Sequence, residues 1–212
     1  MIVHHFTTPV TTPFARKSTQ IYGDLHRFWE KAKIKESAKK PEITGLYRLI
    51  KGYKIMIKIL FVCHGNICRS PMAEFVLKDM VTRCGRSADF SIASAATSTE
   101  EIWNGIGNPV YPPARQELAK HGIICGDKRA VQLKASDYDA YDYLIGMDAM
   151  NIRNIERMTG HRAGEKIRLL LSFAGSTDGI RDPWYSGDFE ETYRDVERGC
   201  KALLEYLLSQ KQ

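Results

Sequence analysis

The chain has 212 residues, of which 43% are hydrophobic and 26% charged, and it carries a formal net charge of +6. These values are typical of a globular protein and exclude collagen-like and fully disordered classes. The length allows one domain with an appendage or two small domains. Five cysteines are too few for a disulfide scaffold in a chain of this length.

The start of the sequence lacks the charged and apolar pattern of a secretory signal peptide. The longest fully apolar run covers residues 59–63, whereas a membrane span needs roughly 20 apolar residues. We therefore predict a cytoplasmic protein that does not span a membrane.

The positive charge is concentrated in residues 1–55, which hold 11 Lys and Arg against 4 Asp and Glu. The remaining 157 residues hold 20 against 21. One basic helix is predicted at residues 21–40, and the rest of this extension shows no clear period. We expect a basic N-terminal extension that is disordered or results from an upstream start-site assignment. It shows no nucleic-acid-binding motif, so we expect no nucleic-acid partner.

From residue 56 onward, the hydrophobic pattern alternates between strands and helices. Strands are predicted at residues 58–62, 90–95, 143–147 and 166–171, and helices begin near Pro71, Pro113, Asp148 and Asp188. This alternation is typical of an α/β fold with a parallel sheet. The predicted fold class is therefore α/β, with an irregular or partly helical N-terminal extension.

A loop joins the first predicted strand to the first predicted helix, with the sequence Cys-His-Gly-Asn-Ile-Cys-Arg-Ser at residues 63–70. Backbone N–H groups at a helix N-terminus form a binding site for anions. Cys63 would be ionised in such a loop, and the Arg69 guanidinium can bind two oxygens of a phosphate. Gly65 and Asn66 suit the positive φ angles that the loop needs. The segment predicts an anion-binding loop with a nucleophilic cysteine.

Two other chemistries are poorly supported at this loop. A structural zinc site needs four ligands at paired spacings, and no second pair follows Cys63, His64 and Cys68. The lysine-containing phosphate loop of nucleotide hydrolases is also missing. We expect no metal ion and no other cofactor.

A second motif, Asp-Pro-Trp-Tyr, begins at Asp182 after the fourth predicted strand. Pro183 restricts the backbone of Asp182 to extended conformations. At the same sheet edge as the thiolate, Asp182 becomes a candidate general acid. Trp184 and Tyr185 are expected to form the walls of a slot for a flat substrate ring.

Residues 62–71 and 182–185 together resemble the low-molecular-weight protein tyrosine phosphatase family, and the resemblance runs from about Ile57 to the C-terminus. It implies a three-layer α/β/α domain with a four-stranded parallel sheet at residues 56–212. It also implies hydrolysis of a phosphotyrosine-containing protein or small aryl phosphate, with release of inorganic phosphate. The enzyme would be a monomer or a weak homodimer.

The resemblance assigns roles to individual residues. It implies that Cys63 is the nucleophile and forms a phosphocysteine, that Arg69 binds the phosphoryl oxygens, and that Asp182 is the general acid and base. It implies that Cys68 forms a disulfide with the oxidised nucleophile. Residues that bind the phosphate or support the loop would be His64, Gly65, Asn66, Ile67, Cys68, Ser70, Ser94 and His121.

Some features depart from the family pattern or leave alternatives open. His64 occupies a position that is often small or aliphatic, and Trp103 either lines the substrate entrance or lies on the surface. Phosphoarginine phosphatases carry a threonine where Ile67 stands here. Arsenate reductases need further reducing cysteines, whereas the other three thiols are expected in the core: Cys84, Cys125 and Cys200. A phosphopeptide-binding or tethering module is the alternative from a different class.

Overall fold

The structure is a computed structural model that describes residues 56–160, 162 and 164–210. The predicted helix at residues 21–40 and the rest of the N-terminal extension lie outside the described residues. Within the described ranges, no helix is long and apolar enough to cross a membrane.

Four parallel strands form the central sheet: β1 (Ile57–Cys63), β2 (Phe90–Ala96), β5 (Tyr143–Gly146) and β6 (Ile167–Leu169). Their order is β2-β1-β5-β6, and the register aligns the ends of neighbouring strands, with Cys63 opposite Ala96 and Gly146 opposite Leu169. The predicted α/β fold with a four-stranded parallel sheet is confirmed. The carboxyl ends of the strands, where ligands bind in such sheets, form one edge.

The α-helices of the described region are α1 (Arg69–Arg83), α2 (Pro112–Lys120), α3 (Asp137–Ala140), α4 (Ala149–Met158), α5 (Pro183–Ser186) and α6 (Phe189–Ser209). The predicted helices correspond to α1, α2, α4 and α6, whereas the four-residue helices α3 and α5 were not predicted. Helix α1 packs against α6 and the strands β1 and β2, and α4 packs against β5 and β6. The predicted cap of α4 is confirmed, since the Asp148 carboxylate accepts a hydrogen bond from Asn151 N at 2.7 Å.

Strand β1 is buried on both sides, because its side chains alternate between the two faces of the sheet. Leu60 and Val62 pack in a cluster with Leu144 and with Ile155 of α4. Ile59 and Phe61, whose side chains point to the opposite face, are also fully buried. Two helical layers therefore cover the sheet, as the resemblance implied.

The predicted fourth strand at residues 166–171 is too long. Strand β6 covers only Ile167–Leu169, and a 3-10 turn at Leu170–Ala174 follows. Leu170 and Leu171 are buried, and Leu170 packs closely against Gly199 of α6. These two apolar residues therefore pack against a helix and are not part of the strand.

The strands β3 (Ile102–Trp103) and β4 (Ile106–Gly107) form a two-stranded antiparallel hairpin. The sequence analysis did not predict this hairpin. Its turn contains Asn104 and Gly105, both with positive φ (50° and 78°). An Asn-Gly pair is the preferred sequence for a two-residue hairpin turn. The signal was therefore present in the sequence, but strands of two residues are too short to show a period.

Candidate active site

The loop at residues 63–70 lies at the carboxyl edge of the sheet, directly after β1, and leads into α1. Three backbone hydrogen bonds of 2.9 Å attach it to its surroundings, from Thr97 N to Cys63 O, from Ser98 N to His64 O and from Tyr111 N to Ile67 O. The neighbours of the loop therefore fix its path before any ligand binds.

Cys63 is buried, and its sulfur has two hydrogen-bond neighbours. The Sγ atom lies 3.0 Å from Ser70 Oγ and accepts a hydrogen bond from Asn66 N at 3.3 Å. These two contacts hold the sulfur within the turn of the loop. Asn66 has a φ of 57°, as expected, so the loop turns back toward the sulfur at that residue. The expectation was wrong for Gly65, whose φ is not positive.

The side-chain amide of Asn66 is buried and fully used. Its Nδ2 donates to Ser70 Oγ at 2.9 Å and to Ser94 Oγ at 2.8 Å, while its Oδ1 accepts from Val131 N at 3.1 Å. The structure therefore brings Ser70 and Ser94 to the loop, as the resemblance implied.

Arg69 projects from the start of α1, and only 4% of its side chain is exposed. Its Nη1 donates to Asp148 Oδ2 at 2.6 Å and to Ile180 O at 3.3 Å, and its Nη2 donates to Asp182 Oδ2. Burial alone would lower the pKa of Arg69, but the negative charges of Cys63, Asp182 and Asp148 raise it above its ordinary value. The guanidinium therefore stays charged and oriented.

Asp182 lies at the N-terminus of the short helix α5, beside Arg69. Its Oδ1 accepts a hydrogen bond from Trp184 N at 3.1 Å, and its Oδ2 accepts one from Arg69. Pro183 occupies the first helical position, which needs no N–H donor. The structure therefore brings together the three predicted catalytic side chains.

The aromatic side chains predicted around the entrance are largely exposed. Trp184 is 56% exposed and its ring lies 5.2 Å from that of Tyr111, whereas Tyr185 is 88% exposed. Trp103 is 80% exposed on the hairpin. The His64 side chain is half exposed, and its Nε2 lies 2.9 Å from Glu100 Oε2, so it links the loop to the segment before the hairpin.

The comparisons with known proteins agree with this geometry. A family profile described as "Low molecular weight phosphotyrosine protein phosphatase" matches residues 58–212. The chain belongs to this family. It is 37% identical over 159 residues to the low molecular weight protein-tyrosine-phosphatase YfkJ of Bacillus subtilis, covering 74% of this chain and 99% of that protein. The rat low molecular weight phosphotyrosine protein phosphatase is 40% identical over 152 residues, covering 69% of this chain and 93% of that protein.

Solved structures show the same relationship. The crystal structure of YfkJ from Bacillus subtilis aligns with a TM-score of 0.70 at 36% identity, covering 74% of this chain and 98% of that chain. The low molecular weight protein tyrosine phosphatase from Streptococcus pyogenes aligns with a TM-score of 0.63 at 42% identity, covering 72% and 93%. The central sheet and its helices are therefore those of this phosphatase family.

The structure places His121 away from the role that the resemblance implied. Its ring stacks on Tyr193 of α6 with centroids 3.6 Å apart, and its Nε2 lies 3.3 Å from Glu117 Oε1 of α2. These contacts join two helices, so His121 packs α2 against α6. The Asn66 side chain of the loop is held instead by Ser94, which accepts from its Nδ2, and by Val131 N, which donates to its Oδ1.

The other cysteines occupy different environments. Cys68 is buried beside the nucleophile, and burial together with the charges of Cys63 and Asp182 raises the pKa of its thiol above the ordinary value. Cys125 and Cys200 are buried, as expected for core thiols. The prediction was wrong for Cys84, which is only half-buried because it lies just after the end of α1.

Three side chains that contact residues of the site were missed or given only a structural role in the sequence analysis: Asp148, Glu74 and Lys128. Asp148 was predicted only as a helix cap, although it follows β5 at the same sheet edge as Cys63 and also binds Arg69. That shared edge was a usable signal. Glu74 and Lys128 carried no such signal, because their partners become neighbours only in the folded chain.

Proposed function

We propose that this phosphatase hydrolyses phosphotyrosine in proteins and small aryl phosphates through a phosphocysteine on Cys63, with Arg69 and Asp182 as its other catalytic residues. The observation that carries the proposal is the joint placement of these three side chains. The Cys63 sulfur is held by Ser70 and Asn66 in a loop at a helix N-terminus, and Arg69 directly pairs with Asp182.

Phosphate binding uses the N–H groups of the loop and the Arg69 guanidinium. Donors that are already oriented stabilise the negative charge of the transition state without reorganisation. Phosphoryl oxygens compete with Asp182 for the Arg69 Nη2 group, so bound substrate weakens the ion pair seen here. The Asp182 carboxyl, released from Arg69, is then free to face the leaving oxygen as the general acid.

The reaction takes two steps. In the first, the Cys63 thiolate attacks phosphorus and forms an S–P bond while the P–O bond to the phenol breaks, and Asp182 gives its proton to the leaving oxygen. In the second, the Asp182 carboxylate removes a proton from water, the water oxygen attacks phosphorus, and the S–P bond breaks. Inorganic phosphate and the Cys63 thiolate are released, and no cofactor takes part.

Aromatic side chains near the entrance support an aryl substrate. Trp184 follows Asp182 by two residues, and the contact between the Trp184 ring and Tyr111 fixes its position. We propose that Trp184 and Tyr185 flank the phenyl ring of the substrate, with Trp103 on the opposite side. Because a nucleophilic thiol must stay reduced, we also propose that the enzyme works in the cytoplasm.

The proposal is tested by assaying the full chain on phosphotyrosine, phosphoserine and phosphoarginine substrates without added metal. We expect turnover of the phosphotyrosine substrate above the other two. Cys63→Ser should lower kcat by at least about 10³-fold, because an alcohol is not ionised at neutral pH. Preferred turnover of phosphoarginine, or wild-type turnover by Cys63→Ser, would contradict the proposal.

The role of Asp182 is tested by the leaving group. Asp182→Asn should slow hydrolysis of phenyl phosphate by roughly 10²-fold or more, because a basic leaving oxygen needs the proton that the acid supplies. The same variant should lose much less activity on an aryl phosphate with a good leaving group. Equal losses on both substrates would show that Asp182 only holds Arg69 in place.

A further inference from the structure

Tyr111 lies just before α2 and contacts two separate parts of the site. Its backbone N–H donates to Ile67 O of the phosphate-binding loop at 2.9 Å, and its side chain packs against the apolar cluster that contains Ile67. Its ring lies 5.2 Å from that of Trp184 in α5 and 5.9 Å from that of Phe189, the first residue of α6. Tyr111 therefore joins the loop that carries the nucleophile to the segment that carries the proposed general acid.

Helix α5 is a single turn and is largely exposed, since Pro183 is the buried residue among its four. Gly187, with a φ of 72°, ends this helix before the chain enters α6. The two ring contacts of Tyr111, with Trp184 and Phe189, lie on either side of this glycine. A single helical turn has little stability of its own, so its position depends on contacts of this kind.

Asp182 is attached to the scaffold from both directions along the chain. On its N-terminal side, the buried Ile180 donates its N–H to Met147 O at 2.7 Å. On its C-terminal side, Trp184 N donates to Asp182 Oδ1 at 3.1 Å, so a shift of Trp184 also moves the carboxylate. The ion pair with Arg69 is a further restraint, but the phosphate of a bound substrate competes for it. In the substrate complex, the position of the carboxylate therefore depends more strongly on Trp184.

We propose that Tyr111 is a positioning residue of the phosphatase reaction: by holding the Trp184 ring, it keeps Asp182 within reach of the leaving oxygen once Arg69 binds phosphate. This inference rests on the proposed function. General acid catalysis requires that the acid lies within hydrogen-bond reach of the leaving oxygen. Loss of the Tyr111 ring should therefore impair the reaction most for a basic leaving oxygen, which needs the proton, and least for one that departs as a stable anion.

The test compares two aryl phosphates that differ in the basicity of the leaving oxygen. Phenyl phosphate has a basic leaving oxygen and p-nitrophenyl phosphate a much less basic one, while both present a single aromatic ring to Trp184. The ratio kcat/KM is measured for each, because it includes formation of the phosphocysteine, the step in which the acid gives its proton. For the full-length Tyr111→Ala variant, we expect kcat/KM to fall by about tenfold on phenyl phosphate, the upper range for one aromatic pair, and by less than about threefold on p-nitrophenyl phosphate. Tyr111→Phe keeps the ring and should keep both values within about twofold.

Tyr206→Ala is the matched control. The Tyr206 ring meets Phe173 with the same centroid distance and tilt, 5.2 Å and 55°, as Tyr111 meets Trp184. Tyr206 lies about 25 Å along α6 from the first residue of that helix. Loss of this ring should therefore destabilise the fold without changing the relative kcat/KM values on the two substrates.

A second background separates positioning of the acid from binding of the substrate ring. In Asp182→Asn the acid is already missing, so the addition of Tyr111→Ala should not change the relative values on the two substrates any further. If Tyr111→Ala does not give folded protein, Tyr111→Leu takes its place in every comparison.

The inference is overturned if Tyr111→Ala lowers kcat/KM equally on both substrates, leaves both unchanged, or has the same selective effect in the Asp182→Asn background. The wild-type enzyme tests the proposed function separately. Without turnover of either aryl phosphate by the wild type, the proposed function fails and the inference fails with it. Wild-type turnover with a leaving-group effect in Asp182→Asn, but none in Tyr111→Ala, would refute the inference alone.

Discussion

Arg69 has two carboxylate partners, and the structure indicates that they serve different purposes. Asp148 Oδ2 binds Nη1 of the guanidinium, and Asp182 binds Nη2. The other oxygen of Asp148 caps α4, so its carboxylate is tied to the scaffold. In the described part of the chain, the other oxygen of Asp182 accepts a hydrogen bond from Trp184 N of the short helix α5. We infer that Asp148 orients the guanidinium permanently, whereas Asp182 releases it when substrate binds.

The two functions of Asp148 can be separated by substitution. Asp148→Asn keeps a good helix cap but removes the charge, so it should lower kcat/KM by roughly tenfold without changing the melting temperature. Asp148→Ala should cause the same loss of activity and also destabilise the protein by about 1 kcal/mol, a fall of roughly 2–4 °C. Steady-state kinetics and thermal unfolding provide the check. Wild-type kcat/KM in Asp148→Asn would show that its charge does not orient Arg69.

The pair of loop cysteines predicts reversible inactivation by peroxide. Peroxide oxidises the Cys63 thiolate to a sulfenic acid, and the Cys68 sulfur then attacks it, forming a disulfide and releasing water. Because the pKa of Cys68 is raised, this second step should be faster at alkaline pH. Cys68→Ser should keep its activity but lose recovery with dithiothreitol, whereas the half-buried control Cys84→Ser should recover like wild type. Equal recovery of all three proteins would rule out the disulfide.

Single residues were predictable from the sequence where the chemistry is local. Cys63 and Arg69 lie in one short loop between a strand and a helix, so residue type and spacing suffice. His121 was misplaced, because a histidine near the end of a helix can face the loop or another helix, and only packing against Tyr193 decides. Lys128 was missed because its buried partner, Glu74, is 54 residues away in sequence.

At the level of elements, the hairpin β3–β4 is attached to the rest of the domain by close backbone packing. Gly107 lies against residue 130, and a Cβ added at Gly107 would lie 1.9 Å from Ala130 O. Asn108 O accepts from Ala130 N at 2.8 Å directly beside this contact. The hairpin therefore depends on the missing side chain at position 107.

Gly107→Ala should lower the free energy of unfolding by about 1–3 kcal/mol, because a backbone atom cannot move aside as a side chain can. Gly105→Asn is the matched control. It lies in the turn of the same hairpin at positive φ, which asparagine tolerates, and its Cβ would meet nothing within 4 Å. Urea unfolding should show a change of less than about 0.5 kcal/mol for the control. A similar value for Gly107→Ala would show that the hairpin adjusts freely.

The elements of the central sheet were predictable because strands buried on both faces form continuous apolar runs. The ends of the strands were harder to predict. Residues 170 and 171 continue the apolar run of β6 but turn away to pack beneath α6, and hydrophobicity alone does not distinguish these two uses. The starts of α1, α2, α4 and α6 were located well, since proline and capping residues mark them in the sequence, whereas the short helices α3 and α5 were missed.

At the scale of the whole molecule, we expect residues 56–212 to form an independent phosphatase domain. The family match begins at residue 58, and both faces of β1 are covered by helices of the same described region. The predicted catalytic residues also lie within it. A region of about 157 residues is long enough to bury a core of its own. We therefore expect the domain boundary at residue 56, as the sequence analysis predicted.

Deletion of residues 1–55, with Met56 as the new start, should give a folded and fully active phosphatase. Its kcat/KM on a small aryl phosphate should match that of the full chain, because all of the proposed catalytic and substrate-binding residues lie within residues 63–185. The melting temperature should change by no more than a few degrees. A fall of more than about 10 °C, equivalent to several kcal/mol at this domain size, would show that the extension contributes to the core. Since the extension is basic, any binding of the full chain to an acidic surface should be lost on truncation and should weaken with added salt.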